Sequence, residues 1–307
     1  MRQTALQTVY ELAKQDSRVV FVGSDLGAGT LKEMREELPN QFFMEGISEQ
    51  YIVGFVAGLA KEGFLPYVNT IANFFTRRAF EQIAMDVALH ELPVRFLASG
   101  GGMVYAPLGP THTAIDDLAL MSSIPNLRIF APGDANEMRA LLNSSLLDPK
   151  PWYVRFGKGG ESNFSPKEQD DPCKPKLFGD SAPEIVFLTT GITVHEALQA
   201  LKQMKEEGKK RVGLIHLPEI TAIQFETWRA IYLGARRVVV AEEHIPHGGL
   251  FSRVLETVHL NGLETSKLVQ QCLPFRYSHN YGNQADHLRA NKLDALGLIE
   301  CAKSIER

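Results

Sequence analysis

Short β-branched runs alternate along the chain with longer segments whose apolar residues recur at helical spacing. In the first half the runs are VVFVG at 19–23, PYVNTI at 66–71, VRFLAS at 94–99, LRIFAP at 127–132 and WYVRF at 152–156. Strand-length runs separated by helical patterns predict a parallel sheet joined by crossover helices. Two of the intervening segments, Glu49–Lys61 and 78–90, carry enough apolar and small residues to be buried on more than one face. Gly54, Ala57 and Gly58 on the first allow close helix approach. Over 157–182 the periodicity disappears into a stretch rich in Gly, Pro, Ser and charge, which predicts a linker. Alternation then resumes with EIVFLTTG, VGLIHL, RVVVAEE and KLVQQCLP, with a helical pattern at 194–207. The expected architecture is α/β: two parallel-sheet domains with helices on both faces, the first over 1–156 and the second over 183–307. No repeat of constant period and no low-complexity tract intervenes.

Composition narrows the function classes. Hydrophobic residues make up 44% and charged residues 22% of 307, so each domain has material for its own core. A net charge of -4 without a Lys/Arg-rich run leaves no electrostatic footprint for nucleic acid or an anionic membrane. The first twenty residues lack the apolar segment of a signal peptide, and no stretch approaches the about 20 apolar residues of a membrane span, so a cytoplasmic location is expected. Cys173, Cys272 and Cys301 are odd in number, far apart and outside any CxxC spacing, which argues against a disulfide framework or a zinc site; no metal ligands are assigned.

Three segments could carry chemistry. In FFMEGISEQYIVGF, Glu49 follows a strand end and opens a helix, with Ser48 at the N-cap position. One reading is an acid that complements the helix dipole at the surface. The other is an acid buried against another subunit, where desolvation raises a carboxyl pKa and lets it share a proton with a ring nitrogen of a bound heterocycle. The segment GGGMVYAPLGPTHTAIDD presents His112 on a Gly-rich loop after Pro110. It fits neither GxxxxGK[ST] nor GxGxxG, so phosphate cradling by those routes is weak. A histidine there is available to a ligand and suited to proton transfer, and a structural role is the alternative. In VNTIANFFTRRAFEQ, Phe74 and Phe75 could stack on a planar ring or simply fill the core. Arg77, Arg78 and Arg155 place cations near the C-terminal sheet edge, where α/β proteins bind ligands and where anionic substrates would fit.

Taken in order, GISEQ (46–50), GFLPY (63–67), FFTRRAFEQI (74–83), GPTH (109–112), IPNLRIFAPGDANE (124–137) and AEEHIPHGGL (241–250) resemble the transketolase and deoxyxylulose-phosphate synthase family over nearly the whole chain. The resemblance implies a thiamine diphosphate pyrimidine-binding domain followed by a transketolase C-terminal domain. Full-length members hold the diphosphate and a divalent metal through a GDG motif and a later asparagine. This sequence has no GDG; Gly133-Asp134 and Gly179-Asp180 lack the third glycine. The chain is therefore similar to one half of a split transketolase, expected to pair with an N-terminal-half subunit that carries the diphosphate and Mg2+, typically in an α2β2 assembly.

Within that resemblance Glu49 matches the activating glutamate, which hydrogen-bonds the aminopyrimidine and prepares the cofactor for deprotonation at C2. Phe74 corresponds best to the ring-stacking aromatic, Phe75 is the adjacent candidate, and Ile71 stands where relatives often have another Phe. His112 matches the GPTH histidine that contacts the ketol fragment, and Arg155 a substrate-phosphate arginine; Arg78 is a further substrate contact. Two departures bear on the substrate. Pro107 and Leu108 stand where sugar-phosphate transketolases carry an acidic residue that reads donor stereochemistry, and Gly100 replaces a phosphate-contacting histidine. A less polar keto donor and a specialised sugar or secondary-metabolite pathway are expected. The competing readings are the beta subunit of a 2-oxo-acid dehydrogenase and a non-catalytic scaffold of the same fold; GPTH speaks against the first, and Glu49 against the second. The EEH segment reads as a turn and a subunit contact, without a second active site.

Overall fold

The computed structural model describes residues 1–25, 29–209 and 211–304, so the last three residues of the expected second domain lie outside the described residues. Two compact units emerge: Met1–Gly101 with Leu120–Pro172, and Gly102–Ala119 with Cys173–Arg307.

The first unit is built on six strands, β1 Val19–Gly23, β2 Phe42–Met44, β3 Leu65–Ile71, β4 Arg95–Ser99, β5 Arg128–Phe130 and β6 Trp152–Phe156. They lie in the order β2-β1-β3-β4-β6-β5, every pair parallel. All residues of β1, β3, β4 and β6 are buried, as expected when helices cover both faces of a parallel sheet. The helix Glu49–Lys61 has the bounds its pattern predicts. The segment 78–90 departs from expectation: a short helix Ala72–Arg78 begins directly after β3, the chain bends at Ala79, and a wider π-helical segment Ile83–Ala88 follows. Phe74 and Phe75 therefore sit within a helix.

The core of this unit has a polar staple. Arg95, 1% exposed, donates from Nη1 to the Lys150 carbonyl and from Nη2 to the Ser145 carbonyl, each at 2.6 Å, and its guanidinium lies 5.1 Å from the Trp152 ring. The Ser145 carbonyl also accepts the Asp148 amide at 3.3 Å, so the guanidinium ties together backbone acceptors of the irregular stretch before β6. Asp134 does equivalent work at the N-terminus of the helix Ala135–Ser144. Fully buried, it accepts from the Glu137 amide and the Ser165 hydroxyl on Oδ1, and from the Phe164 and Ser165 amides on Oδ2. The GDANE motif thus caps a helix and pins the start of the linker, which explains the Gly133-Asp134 pair without any diphosphate role.

The second unit holds β7 Lys176–Gly179, β8 Ile185–Thr189, β9 Val212–His216, β10 Arg237–Glu242 and β11 Leu268–Cys272, in the order β11-β10-β8-β9-β7. β7 runs antiparallel to β9, with Leu177 opposite Ile215, so this sheet is mixed at one edge and part of the expected linker is a strand. The remaining pairs are parallel. One face packs a core of Val186, Leu188, Ile215, Trp228, Tyr232, Val240 and Val254.

Candidate active site

In the first unit the predicted residues Glu49, Phe74 and Arg78 come together, and Ile71 stands at the N-cap of the helix that carries Phe74. Gly46, at φ +72°, turns the chain after β2, and Ser48 takes the N-cap position. Its hydroxyl donates to the Glu45 carbonyl at 3.1 Å and caps nothing, so the expected side-chain cap is absent. Glu49 follows and is only 3% exposed. Its Oε2 accepts from Arg78 Nη1 at 3.2 Å, while Oε1 is buried without any hydrogen-bond partner. A buried, unsatisfied carboxylate oxygen is costly, and such atoms mark places where a ligand completes the bonding. The surface-dipole reading of Glu49 is thereby set aside.

The Arg78 guanidinium also lies over the Phe74 ring at 3.7 Å from the centroid, a cation–π contact that covers one face of the ring. Phe74 and Ile71 are nearly buried, at 8% and 7% exposure. Phe75, one helical step on, has no exposure and packs edge-on to Phe96 of β4 at 5.3 Å. Its neighbours make it a core residue, as its alternative reading held. Glu49, Arg77 and Arg78, with Ile47, Gln50 and Tyr51, line an open recess of about 580 Å3.

Arg155 lies in β6, opposite Ala98 of β4, and is largely buried. Its side chain runs across Gly101: a Cβ there would stand 2.1 Å from Arg155 Nε. The amides of Gly100 and Gly101 both donate to the Phe156 carbonyl. Close backbone approach is thus the reason for the glycine run.

His112 belongs by its packing to the second unit. Its amide donates to the Gly109 carbonyl at 3.0 Å, closing a Gly-Pro-Thr-His turn with Pro110 at the favoured second position. Gly102 and Ala114 bond to each other in both directions at 2.8 and 3.0 Å and close the loop at its base. Thr111 Oγ1 lies 2.8 Å from His112 Nδ1 and constrains the ring.

Sequence reasoning passed over what holds this loop. Glu243, 3% exposed, accepts from the Met103 amide at 2.8 Å and from Gln284 Nε2 at 2.9 Å. A Cβ at Gly102, whose φ is +66°, would stand 2.5 Å from that carboxyl carbon. The Ala119 amide donates to His244 Nε2, and the Ile245 amide bonds back to the Ile115 carbonyl. Glu242, in turn, accepts the amides of Leu250 and Phe251 at the start of the helix Leu250–Leu260. The EEH segment is therefore an anchor for the His112 loop and a helix cap. Two adjacent acids at a strand end, followed by histidine and a Gly-Gly pair, were the available signal.

Among the described residues no group of three or more His, Cys, Asp or Glu side chains could hold a metal ion. No helix among them is long and apolar enough to cross a membrane.

The first unit is thus a parallel-sheet domain with a buried, half-paired acid at a helix start, and the second is an α/β unit. Residues 1–160 match the family model for the transketolase pyrimidine binding domain, and 179–289 that for the transketolase C-terminal domain. The chain belongs to the transketolase family. It is 33% identical to one of the subunits of the apulose-4-phosphate transketolase of Phocaeicola vulgatus, over 85% of this chain and 84% of that protein. It is 31% identical to the 1-deoxy-D-xylulose-5-phosphate synthase of Syntrophus aciditrophicus over 97% of this chain, but spans only 46% of that relative's length. Among solved structures it resembles a split-gene transketolase described as an inactive beta4 tetramer, with a TM-score of 0.86, 27% identity, and 100% and 99% of the two chains covered. The transketolase of Campylobacter jejuni, at 17% identity and a TM-score of 0.81 over 99% of this chain and 46% of its own, shares the fold.

Proposed function

We propose that this chain is one subunit of a two-component, thiamine diphosphate-dependent enzyme of the cytoplasm that moves a ketol or related acyl-anion unit from a keto donor to an aldehyde acceptor. The observation that carries the proposal is Glu49: a buried acid whose Oε1 has no protein partner, beside a recess and an aromatic face. That donor set fits the aminopyrimidine end of the cofactor. The cofactor, when bound, supplies a carbon nucleophile that side chains lack. Glu49 holds and shares the proton at the ring nitrogen; Phe74 offers its face once Arg78 moves aside; Ile71 limits the space beneath it. His112 moves protons to and from the substrate's oxygens, and Arg155 and Arg78 orient anionic groups.

The diphosphate and a divalent cation such as Mg2+ fall to a partner subunit, in an α2β2 assembly. The absence of GDG and the structural employment of Asp134 support this division. So does the likeness to a protein named as one subunit of a transketolase. A specialised sugar or secondary-metabolite pathway is the proposed setting, because Pro107 and Leu108 are exposed where an acidic donor reader is expected, and the Phocaeicola relative is named for apulose 4-phosphate. The test is reconstitution with the partner subunit and a screen of keto donors by mass spectrometry. Turnover that needs both chains supports the proposal. Lipoamide-dependent acyl transfer would point to the 2-oxo-acid dehydrogenase reading, and xylulose 5-phosphate as the best donor would remove the specialised one.

A further inference from the structure

We propose that the second unit carries an anion-binding site for a small phosphorylated metabolite, between the loop Gly102–Ala119 and the stretch 273–291. Two adjoining cavities of about 180 and 300 Å3 lie there and share Met103, Thr113, Ser278, His279, Asn280 and His287 in their walls. Shared walls make them lobes of one site. Neither lobe is lined by a single Asp or Glu, in a chain where 36 acidic residues face 32 basic ones. The larger lobe is lined instead by Arg276, with His279 and His287.

Three arginines of this unit are paired, Arg211 with Glu184, Arg253 with Glu256 and Arg289 with Asp286. Among the described residues, the Arg276 and His279 side chains have no hydrogen bond or ion pair. His287 is 4% exposed, its Nδ1 lies 3.5 Å from Ser278 Oγ, and its Nε2 is buried without a partner. A buried imidazole nitrogen without a partner is expensive, and a guanidinium with imidazole, hydroxyl and amide groups around it supplies the many donors that a phosphate's oxygens require. Carboxylate, with two oxygens, would leave several of them idle. Met103, Ile115 and Leu273, buried together beneath the loop, offer an apolar floor for a short carbon skeleton.

The walls include Gly109, Pro110 and Thr113 on either side of His112. Occupancy therefore fixes the turn that aims His112. The site stands on the second unit's own geometry, independent of the enzymatic reading.

The test is calorimetric titration of the full chain with inorganic phosphate and with ribose 5-phosphate, using ribose as the uncharged control. Saturable binding of both anions, at least fivefold weaker in Arg276→Ala and weaker still with His279→Ala added, and unchanged in Arg289→Ala, supports the proposal. Both 276 and 279 are exposed, so these changes spare the fold. No saturation, equal binding of ribose, or binding indifferent to both substitutions overturns it. The source of the phosphate is then read in the reconstituted pair. A raised KM for a phosphorylated aldehyde with an unchanged KM for its unphosphorylated counterpart assigns the acceptor's own phosphate; unchanged KM values with loss of the effect of added phosphate on turnover assign a separate effector.

Discussion

On the proposed reading, Glu49→Gln separates chemistry from stability, because the two rest on different oxygens of one side chain. Glutamine is nearly isosteric, so no cavity forms. What the fold loses is a charge-assisted bond to Arg78 at 3.2 Å. The Arg78 side chain is 46% exposed, so solvent screening holds that loss to about 1 kcal/mol or less. The chemistry loses more. An amide at Oε1 can bond a ring nitrogen but cannot exchange a proton with it, and positioned proton transfer contributes about 10²–10⁴ in rate, or roughly 3 to 5 kcal/mol of barrier. The assay is donor consumption by the reconstituted pair, with thermal melting of the same preparations. Expected is a fall in kcat of at least a hundredfold, with the melting temperature moved by no more than a few degrees. A kcat within threefold of the unsubstituted chain would refute the role of Glu49, and a collapse of the melt without a specific loss of rate would make it a structural acid.

Three further outcomes follow from other parts of the structure. Asp134→Ala removes a helix cap and orphans the Phe164 and Ser165 amides; at about 1 kcal/mol for the cap and about 1–3 for each amide, it should cost roughly 3–7 kcal/mol and lower the melting temperature by about 10 °C or more. Gly102→Ala drives a Cβ into the Glu243 carboxyl and strains a positive φ, so it should destabilise the second unit by about 1–3 kcal/mol and reduce turnover through the His112 loop, with cofactor affinity little changed by calorimetry. Burial, and then the nearby Glu242, pushes the Cys272 thiol up from 9.0 to about 12. Its alkylation at pH 8 should therefore run about a thousandfold below that of an ordinary thiol by mass spectrometry. Because the folded value is the higher one, the associated stability is complete below pH 9 and is lost as pH rises towards 12.

The sheets and the helix Glu49–Lys61 were legible because strand and helix periods are local properties of the chain. β2 and β7 were less so: three and four residues give too little alternation, and LFG sits between prolines and charge in a stretch that reads as linker. The bend at Ala79 left no mark, since it falls one residue into the 78–90 segment, whose apolar spacing runs on unbroken beyond it. At the site, Glu49 could be placed at a helix start, but its half-paired state depends on Arg78, twenty-nine residues on. Phe74 and Phe75 are interchangeable in sequence and are separated only by Phe96. The anchoring of the GPTH loop rests on Glu243 and His244, more than a hundred residues away, and no local pattern encodes such a contact.

On the proposed reading, this chain forms one half of a cofactor site. Titration of thiamine diphosphate with Mg2+ into the chain, alone and mixed with the diphosphate-binding subunit, measures it directly by calorimetry. Saturable binding is expected in the mixture and none, or binding weaker by at least a hundredfold, in the chain alone. Equally tight binding by the chain alone would contradict it, as would no binding in the mixture.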